Sequence, residues 1–368
     1  MNYIIPFIIL IMIVVFIHEY GHYYFAKRYG VGVTDFSIGF GREIFGWNDK
    51  SGTRWKVCWI PLGGYVKFFG DRNVFSQTEQ QEIINKYSED DRKKLFILKP
   101  LYQRSLIVAA GPLANFFLAL LIFAAINMFV GKDMTPAVVD EVQKDSPAFV
   151  AGMKKNDKIV YIDKKKVESV LQVSTFINIS TSETIEFVVI RNDQEISLLV
   201  KPNLVDGNDA LGNSVKKRMV GIRLSSFNNE YTKQPLGPSK AIYYSFQEVW
   251  FVTTTSLNYL GKMITGSGDA SQLGGPIRIA KVTGQVAEYG IIPFLSIMAY
   301  ISISLGLINL FPIPMLDGGH LMFYLIEKIL GRPLSQKVQE GFFRIGLFLL
   351  FSLMFFVTFN DLKDLGLF

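Results

Sequence analysis

Residues 3–26 are almost wholly apolar, yet three ionisable side chains, His18, Glu19 and His22, stand inside that run. No other feature restricts the fold so strongly. A run of this length, at about 1.5 Å per residue, crosses a hydrocarbon core ~30 Å thick. An ionisable group at the centre of such a helix costs roughly 2.5 kcal/mol or more, so packing does not explain three of them in five residues. The string His18-Glu19-Tyr20-Gly21-His22 has HExxH spacing. Positions i and i+4 share one helix face, so both imidazoles can meet one metal ion while Glu19 stands beside it as a general base.

Composition widens this to the whole chain. Of 368 residues 49% are hydrophobic and 31 are Phe, which places the chain among multi-span membrane proteins. Three further spans are predicted over 106–130, 291–311 and 342–359. The net charge of +6 is carried without any Arg-dense helix or loop, so it argues for membrane topology and against nucleic acid as a partner. Met1-Asn2-Tyr3 offers no positive side chain, and Lys27-Arg28 follow the first run, the reverse of a signal peptide. The basic pair predicts an outer N-terminus and a cytoplasmic residue 27. His18 then sits roughly 13 Å below the cytoplasmic edge. Cys58 is the single cysteine, which excludes an intrachain disulfide.

Residues 27–103 are polar and net basic. Trp55–Ile60 and Tyr65–Phe69, joined by Pro61-Leu62-Gly63-Gly64, predict a β-hairpin dipping back toward the membrane. Ser76–Lys94 is charged and predicts a solvated helix. The second span carries Gly111-Pro112 and then Asn115, which serves either as a helix–helix hydrogen bond or as a site residue. Residues 132–224 have the composition of a soluble, β-rich domain. Strand-like 137–142, Ser146-Pro147-Ala148, Ala151-Gly152, strand-like 158–162 and a hairpin closing on Asn192-Asp193 resemble a PDZ domain of the bacterial protease-associated type. Asn156 stands where that pattern has Gly, and Asn tolerates a left-handed backbone. Val220, Gly221 and Ile222 resemble the loop that receives a peptide terminus in such domains. Residues 239–263 are aromatic but interrupted by Lys240, Gln247, Glu248, Asn258 and Lys262. They predict an amphipathic helix at the outer membrane surface in preference to a further span, which would invert everything after it.

The third span runs into Asn309-Leu310-Phe311-Pro312-Ile313-Pro314-Met315-Leu316-Asp317-Gly318-Gly319-His320. Broken backbone at membrane depth is tolerated where it lines a site. Counting spans brings Asp317 to the same side of the membrane as His18 and His22. Catalytic zinc takes three protein ligands and keeps one position open. His18, His22 and Asp317 supply three, and two imidazoles with a carboxylate favour zinc. His320 is the one remaining imidazole and competes for the third place; Asp317 is preferred, leaving His320 to the local turn or its polar network.

Together, the HExxH in the first span, the apolar hairpin at Gly63-Gly64-Tyr65, Gly111-Pro112 with Asn115, the single PDZ-like insert and Asn309–Gly319 resemble the site-2 protease family of intramembrane zinc metalloproteases, of the regulator of sigma-E protease type. The resemblance covers nearly the whole chain. It implies one Zn2+ held by His18, His22 and Asp317, with Glu19 as base, and Asn309 holding substrate beside the paired prolines Pro312 and Pro314. The turn residues Gly63, Gly64 and Tyr65 would hold substrate at the hairpin. It further implies a bacterial inner-membrane, multi-pass protein with a periplasmic PDZ-like domain that binds peptide termini. Its expected substrates are single-span membrane proteins such as an anti-sigma factor, cut after a first external cleavage, and possible remnant signal peptides. The chain has room for one PDZ-like domain instead of the two of well-known members.

The expected architecture is a polytopic α-helical membrane protein with about four transmembrane helices, a membrane-dipping β-hairpin and one inserted α+β domain. Its parts are an N-terminal membrane half (1–130), the PDZ-like domain (132–225), an amphipathic helix and linker (226–290) and a C-terminal membrane half (291–368). A silent membrane adaptor would be expected to have lost a ligand or the base, and a metal transporter would need polar groups along several spans. The intact set at one point disfavours both.

Overall fold

The computed structural model describes residues 3–70, 87–180, 182–208, 214–225, 233–265 and 274–364. The longer helices among them are α1 (Ile4–Arg28), α2 (Leu101–Phe129), α3 (Val170–Ile179), α4 (Pro238–Ile264), α5 (Pro276–Glu288), α6 (Ile291–Asn309), α7 (Asp317–Leu330) and α8 (Gln336–Asp364). Four of them, α1, α2, α6 and the 337–363 stretch of α8, are long and apolar enough to span a bilayer, and the chain is a multi-pass membrane protein. The last span is longer than the sequence predicts, and α4 is not among the four. Most of the predicted helix at Ser76–Lys94 lies outside the described residues; its described part includes a short turn, Glu89–Arg92, capped by Ser88.

The chain divides into two compact units. The first comprises residues 1–123, 246–256 and 273–368. Here α1 ends in a Schellman motif: Gly30 is left-handed at φ +66°, its N–H reaches Lys27 O, and the Val31 N–H reaches Ala26 O. That turn buries Val31 with Ala26, Val33 and Ile107. Deeper in, Leu10 and Val14 of α1 pack on Met298 of α6, while Ala119 and Phe123 of α2 pack on Ala299 and Ile303. At the N-terminus of α5, the buried Asp361 carboxylate accepts from the N–H groups of Gly275, Ile277 and Arg278, so that α8 supplies the cap.

Strands β1 (Val33–Asn48) and β2 (Arg54–Phe68) meet across the turn at Asp49–Thr53. Both strands bend. Gly39 and Gly41 of β1 have φ +87° and +89°, and Gly63 of β2 has φ +135°. As a result Phe36 has two neighbours, Trp55 on one side and Val66 on the other. This corrects the expected hairpin: Trp55–Ile60 and Tyr65–Phe69 do not pair with each other, because Asp35–Ile38 lies between them. Pro-Leu-Gly-Gly reads as a tight turn, but here it is an open bend reaching over an intervening strand.

The second unit comprises residues 124–245 and 257–272. Its longer strands are β3 (Val138–Val142), β4 (Lys158–Ile162), β5 (Ile185–Arg191), β6 (Gln194–Val200), β7 (Asn203–Asn208), β8 (Ser214–Met219) and β9 (Ile222–Ser225). The main sheet has the order β9-β3-β4-β5-β6, and β7 pairs separately with β8. Alternating buried residues of β5, Ile185, Phe187 and Val189, form the core with Ile159, Ile162, Val173 and Phe176. The expected hairpin β5–β6 closes on Asn192 and Asp193, both at positive φ as a type I′ turn requires, and Asn156 is left-handed at φ +70°.

Candidate metal centre

One helical turn on α1 places His18 and His22 on the same side, and α7 brings Asp317 to them. His18 Nε2 lies 3.2 Å from Asp317 Oδ2 and 3.2 Å from His22 Nε2, and His22 Nε2 lies 3.5 Å from Asp317 Oδ2. Ligands at ~2.0–2.1 Å from a tetrahedral zinc stand about 3.3 Å apart, so the three donor atoms fit one such ion. Among the described residues this is the group whose donor atoms converge for a metal.

Close helix crossings make this possible. A β-carbon at Gly21 of α1 would fall 2.3 Å from the Ala110 carbonyl oxygen of α2, and one at Gly111 would fall 2.2 Å from His22 Nε2. Ile107, Gly111 and Asn115 recur every four residues on α2 and turn one face toward the histidines. The Ile107 carbonyl accepts from His22 Nδ1 at 2.9 Å, which leaves Nε2 of the neutral ring free to ligate. Asn115, fully buried, lies against His18 Nδ1 at 3.2 Å. Its backbone carbonyl accepts from Ser302 of α6 at 2.9 Å.

Asp317 opens α7, and the preceding loop folds back over the helix start. A β-carbon at Gly318 would lie 2.2 Å from Phe311 O, and one at Gly319 would lie 2.5 Å from Ile313 O, so both positions need glycine for this approach. Met315 is held at φ +90°. Pro314 is buried, and Gly346 of α8 sits against its carbonyl. Arg104 near the start of α2 makes a two-pronged ion pair with Glu327, tying α2 to α7.

Glu19 stands outside the three-ligand group. It faces β2: a β-carbon at Gly64 would lie 3.0 Å from both Glu19 Cγ and Val15 Cγ1. Gly64 of the expected turn is therefore brought to the site. Tyr65 stacks on Phe40 at 6.2 Å with Lys56 Nζ 5.3 Å from its ring, and Gly63 packs on the same Phe40. Asn309 is half-buried at the end of α6, and Pro312 is exposed. The His320 ring packs on Phe343, with centroids 5.7 Å apart, and on Phe323, so it is absent from the converging donors. Val220, Gly221 and Ile222 belong to the second unit. There the Val220 and Gly221 carbonyls accept from Ala148 and Gln143, and Gly221 has φ +78°.

The contacts of Gly111 and Ile107 with the site escape a reading of the sequence. For Gly111 a signal exists, since Gly111 and Asn115 repeat the four-residue spacing of the two histidines.

The chain is 42% identical over 364 residues to the "Putative zinc metalloprotease Atu1380" of Agrobacterium fabrum, covering 99% of this chain and 96% of that protein. It is 39% identical over 363 residues to a protein of Mesorhizobium japonicum with the same description, covering 98% of each chain. Metalloprotease MmpA of Caulobacter vibrioides is 35% identical over 387 residues, covering 99% of this chain and 96% of that one. Residues 6–353 match the sequence profile described as peptidase family M50, a span that starts within the HExxH helix and runs past the Asp317 loop into α8. On this match over nearly its whole length, the chain belongs to peptidase family M50.

Proposed function

We propose that this metalloprotease is an intramembrane zinc endopeptidase that cuts a peptide bond inside the membrane segment of single-span membrane proteins. The observation that carries the reading is the convergence to 3.2–3.5 Å of His18 and His22, on a helix long enough to span a bilayer, with Asp317 at the start of α7, while Glu19 stands beside them outside the group.

His18, His22 and Asp317 would hold the ion. Zinc supplies Lewis-acid polarisation of the scissile carbonyl. Glu19 takes the proton from the attacking water and returns it to the leaving amine. A substrate helix in lipid hides every amide in its own hydrogen bonds, so it must unwind locally and find a new backbone partner. The edge strand near Trp59 to Tyr65, where Gly64 meets Glu19, suits strand addition, with Gly63 and Tyr65 shaping the approach. Asn309, Pro312 and Pro314 would hold the other side of the substrate.

Anti-sigma factors already trimmed on their outer side, and remnant signal peptides, fit this chemistry as substrates. The PDZ-like domain at 132–225 acts as a gate whose loop at Val220-Gly221-Ile222 takes peptide termini. The protein resides in a bacterial inner membrane with the metal site toward the cytoplasm.

The test is cleavage of a tagged, outer-trimmed single-span substrate by wild-type and Glu19→Gln protein, with bound zinc counted in both. Cleavage by wild type and its loss in a variant that retains zinc support the assignment. A variant that still cleaves at the wild-type rate removes Glu19 from the base role, and a wild type without metal or cleavage across a substrate panel overturns the protease reading.

A further inference from the structure

We infer that Asn115 is a positioning residue for His18: its side-chain oxygen accepts the His18 Nδ1–H and thereby leaves the Nε2 lone pair aimed at the point shared with His22 and Asp317. The inference rests on His18 being a metal ligand.

Asn115 has 0% exposure, and its amide nitrogen faces His18 Nδ1 at 3.2 Å while Oδ1 is buried without any partner. In that orientation Nδ1 must be the acceptor, so the proton of a neutral imidazole sits on Nε2. That is the nitrogen 3.2 Å from both His22 Nε2 and Asp317 Oδ2. A protonated Nε2 has no lone pair to give a metal. The two ends of a carboxamide are nearly isosteric, and turning the amide over puts Oδ1 on Nδ1–H. The orphaned oxygen is then satisfied and Nε2 is released.

His22 has this arrangement already, with Nδ1 directed at the Ile107 carbonyl. Two acceptors on one face of α2, a main-chain oxygen at 107 and a side-chain oxygen at 115, thus orient the two histidines. Ser302, also fully buried, holds the Asn115 backbone through its hydroxyl. A hydrogen bond serving only to join α1 and α2 would be a modest tether between membrane helices, and its loss would leave metal affinity unchanged. Orienting a ligand has a larger and different signature, a 10–100-fold change in metal affinity being typical.

The experiment is competition for zinc between a chromophoric chelator and detergent-purified wild type, Asn115→Leu, Asn115→Asp and His18→Ala, with unfolding of the metal-free proteins followed in parallel. Leucine has the same branched heavy-atom skeleton as asparagine and no acceptor; aspartate offers acceptors and no donor. The expected result is a zinc affinity about 10–100-fold lower for Asn115→Leu, near-wild-type affinity for Asn115→Asp, and metal-free stability similar in both. Asn115→Ala replaces the leucine variant if that one does not fold. Wild-type affinity in the leucine or alanine variant overturns the inference alone, as does an aspartate variant as weak as leucine. A wild type that binds no zinc, or a His18→Ala variant that binds as tightly as wild type, removes the ligand reading and this inference with it.

Discussion

Gly111 of α2 lies against His22 of α1 so closely that a β-carbon there would come within 2.2 Å of Nε2, the nitrogen that faces Asp317. The helix crossing therefore holds the metal-facing atom at a distance only a glycine allows. Gly111→Ala is expected to displace the ring and lower zinc affinity at least about 10-fold although no ligand is altered. Gly261→Ala, which meets nothing within 4 Å, is the matched control and should bind as wild type. Bound zinc per protein after chelator competition reads both, and normal affinity in Gly111→Ala would refute the argument.

Met315 is a non-glycine residue at φ +90°, two positions before Asp317. Such a backbone stores on the order of 1–3 kcal/mol. Met315→Gly relieves it and should raise thermal stability while keeping zinc. Met315→Val, β-branched and intolerant of that angle, should lower both. A valine variant equal to wild type in zinc content and melting temperature would contradict this account.

The turn carboxylate Asp49 docks the β1–β2 sheet onto α1. Burial works against its charge, yet donors from Ser51, Trp55, Thr53 and Tyr23 hold it well below the usual carboxylate range. A depressed folded-state value means stability that is present above the unfolded pKa of about 3.9 and lost as pH falls through and below it. Asp49→Asn should lose about 1 kcal/mol at pH 7, and the gap from wild type should close below about pH 3. Unfolding curves across that range check it; a pH-independent gap would mean the loss is not electrostatic.

Removing the metal has its own expected outcome. Zinc at about 100 times its dissociation constant stabilises a protein that binds it only when folded by ~2.7 kcal/mol. Chelator should lower the melting temperature, zinc should restore it, and His22→Ala should show neither shift. A melting temperature indifferent to zinc in wild type argues against the three-residue site.

The Arg104–Glu327 pair is partly buried and two-pronged, 2.6 and 3.3 Å. Arg104→Met leaves Glu327 without its partner, and a loss on the order of 2 kcal/mol is expected. Arg104→Met with Glu327→Met should recover part of that. Equal loss in single and double variants would mean that the stranded Glu327 carboxylate is not the source of the loss.

Much of this was legible because lipid imposes simple rules. Apolar runs of span length, interrupted by His18-Glu19-Tyr20-Gly21-His22 and by Asp317 after a broken helix, admit few arrangements, since charge and open backbone in hydrocarbon need a reason. The hairpin is where this reading fails. Local turn signals at Pro61–Gly64 are real, but they do not say which strand will lie beside Trp55, and Asp35–Ile38 takes that place.

By itself, the sequence determined the spans, the HExxH face and the candidate ligands, because periodicity, hydropathy and turn chemistry act over a few residues. Only tertiary structure decided that Gly111 meets His22, that Asn115 and Ile107 address the two imidazoles, and that Gly64 reaches Glu19. Those relations depend on how closely helices and strands distant in the chain pack, and no local signal carries that distance.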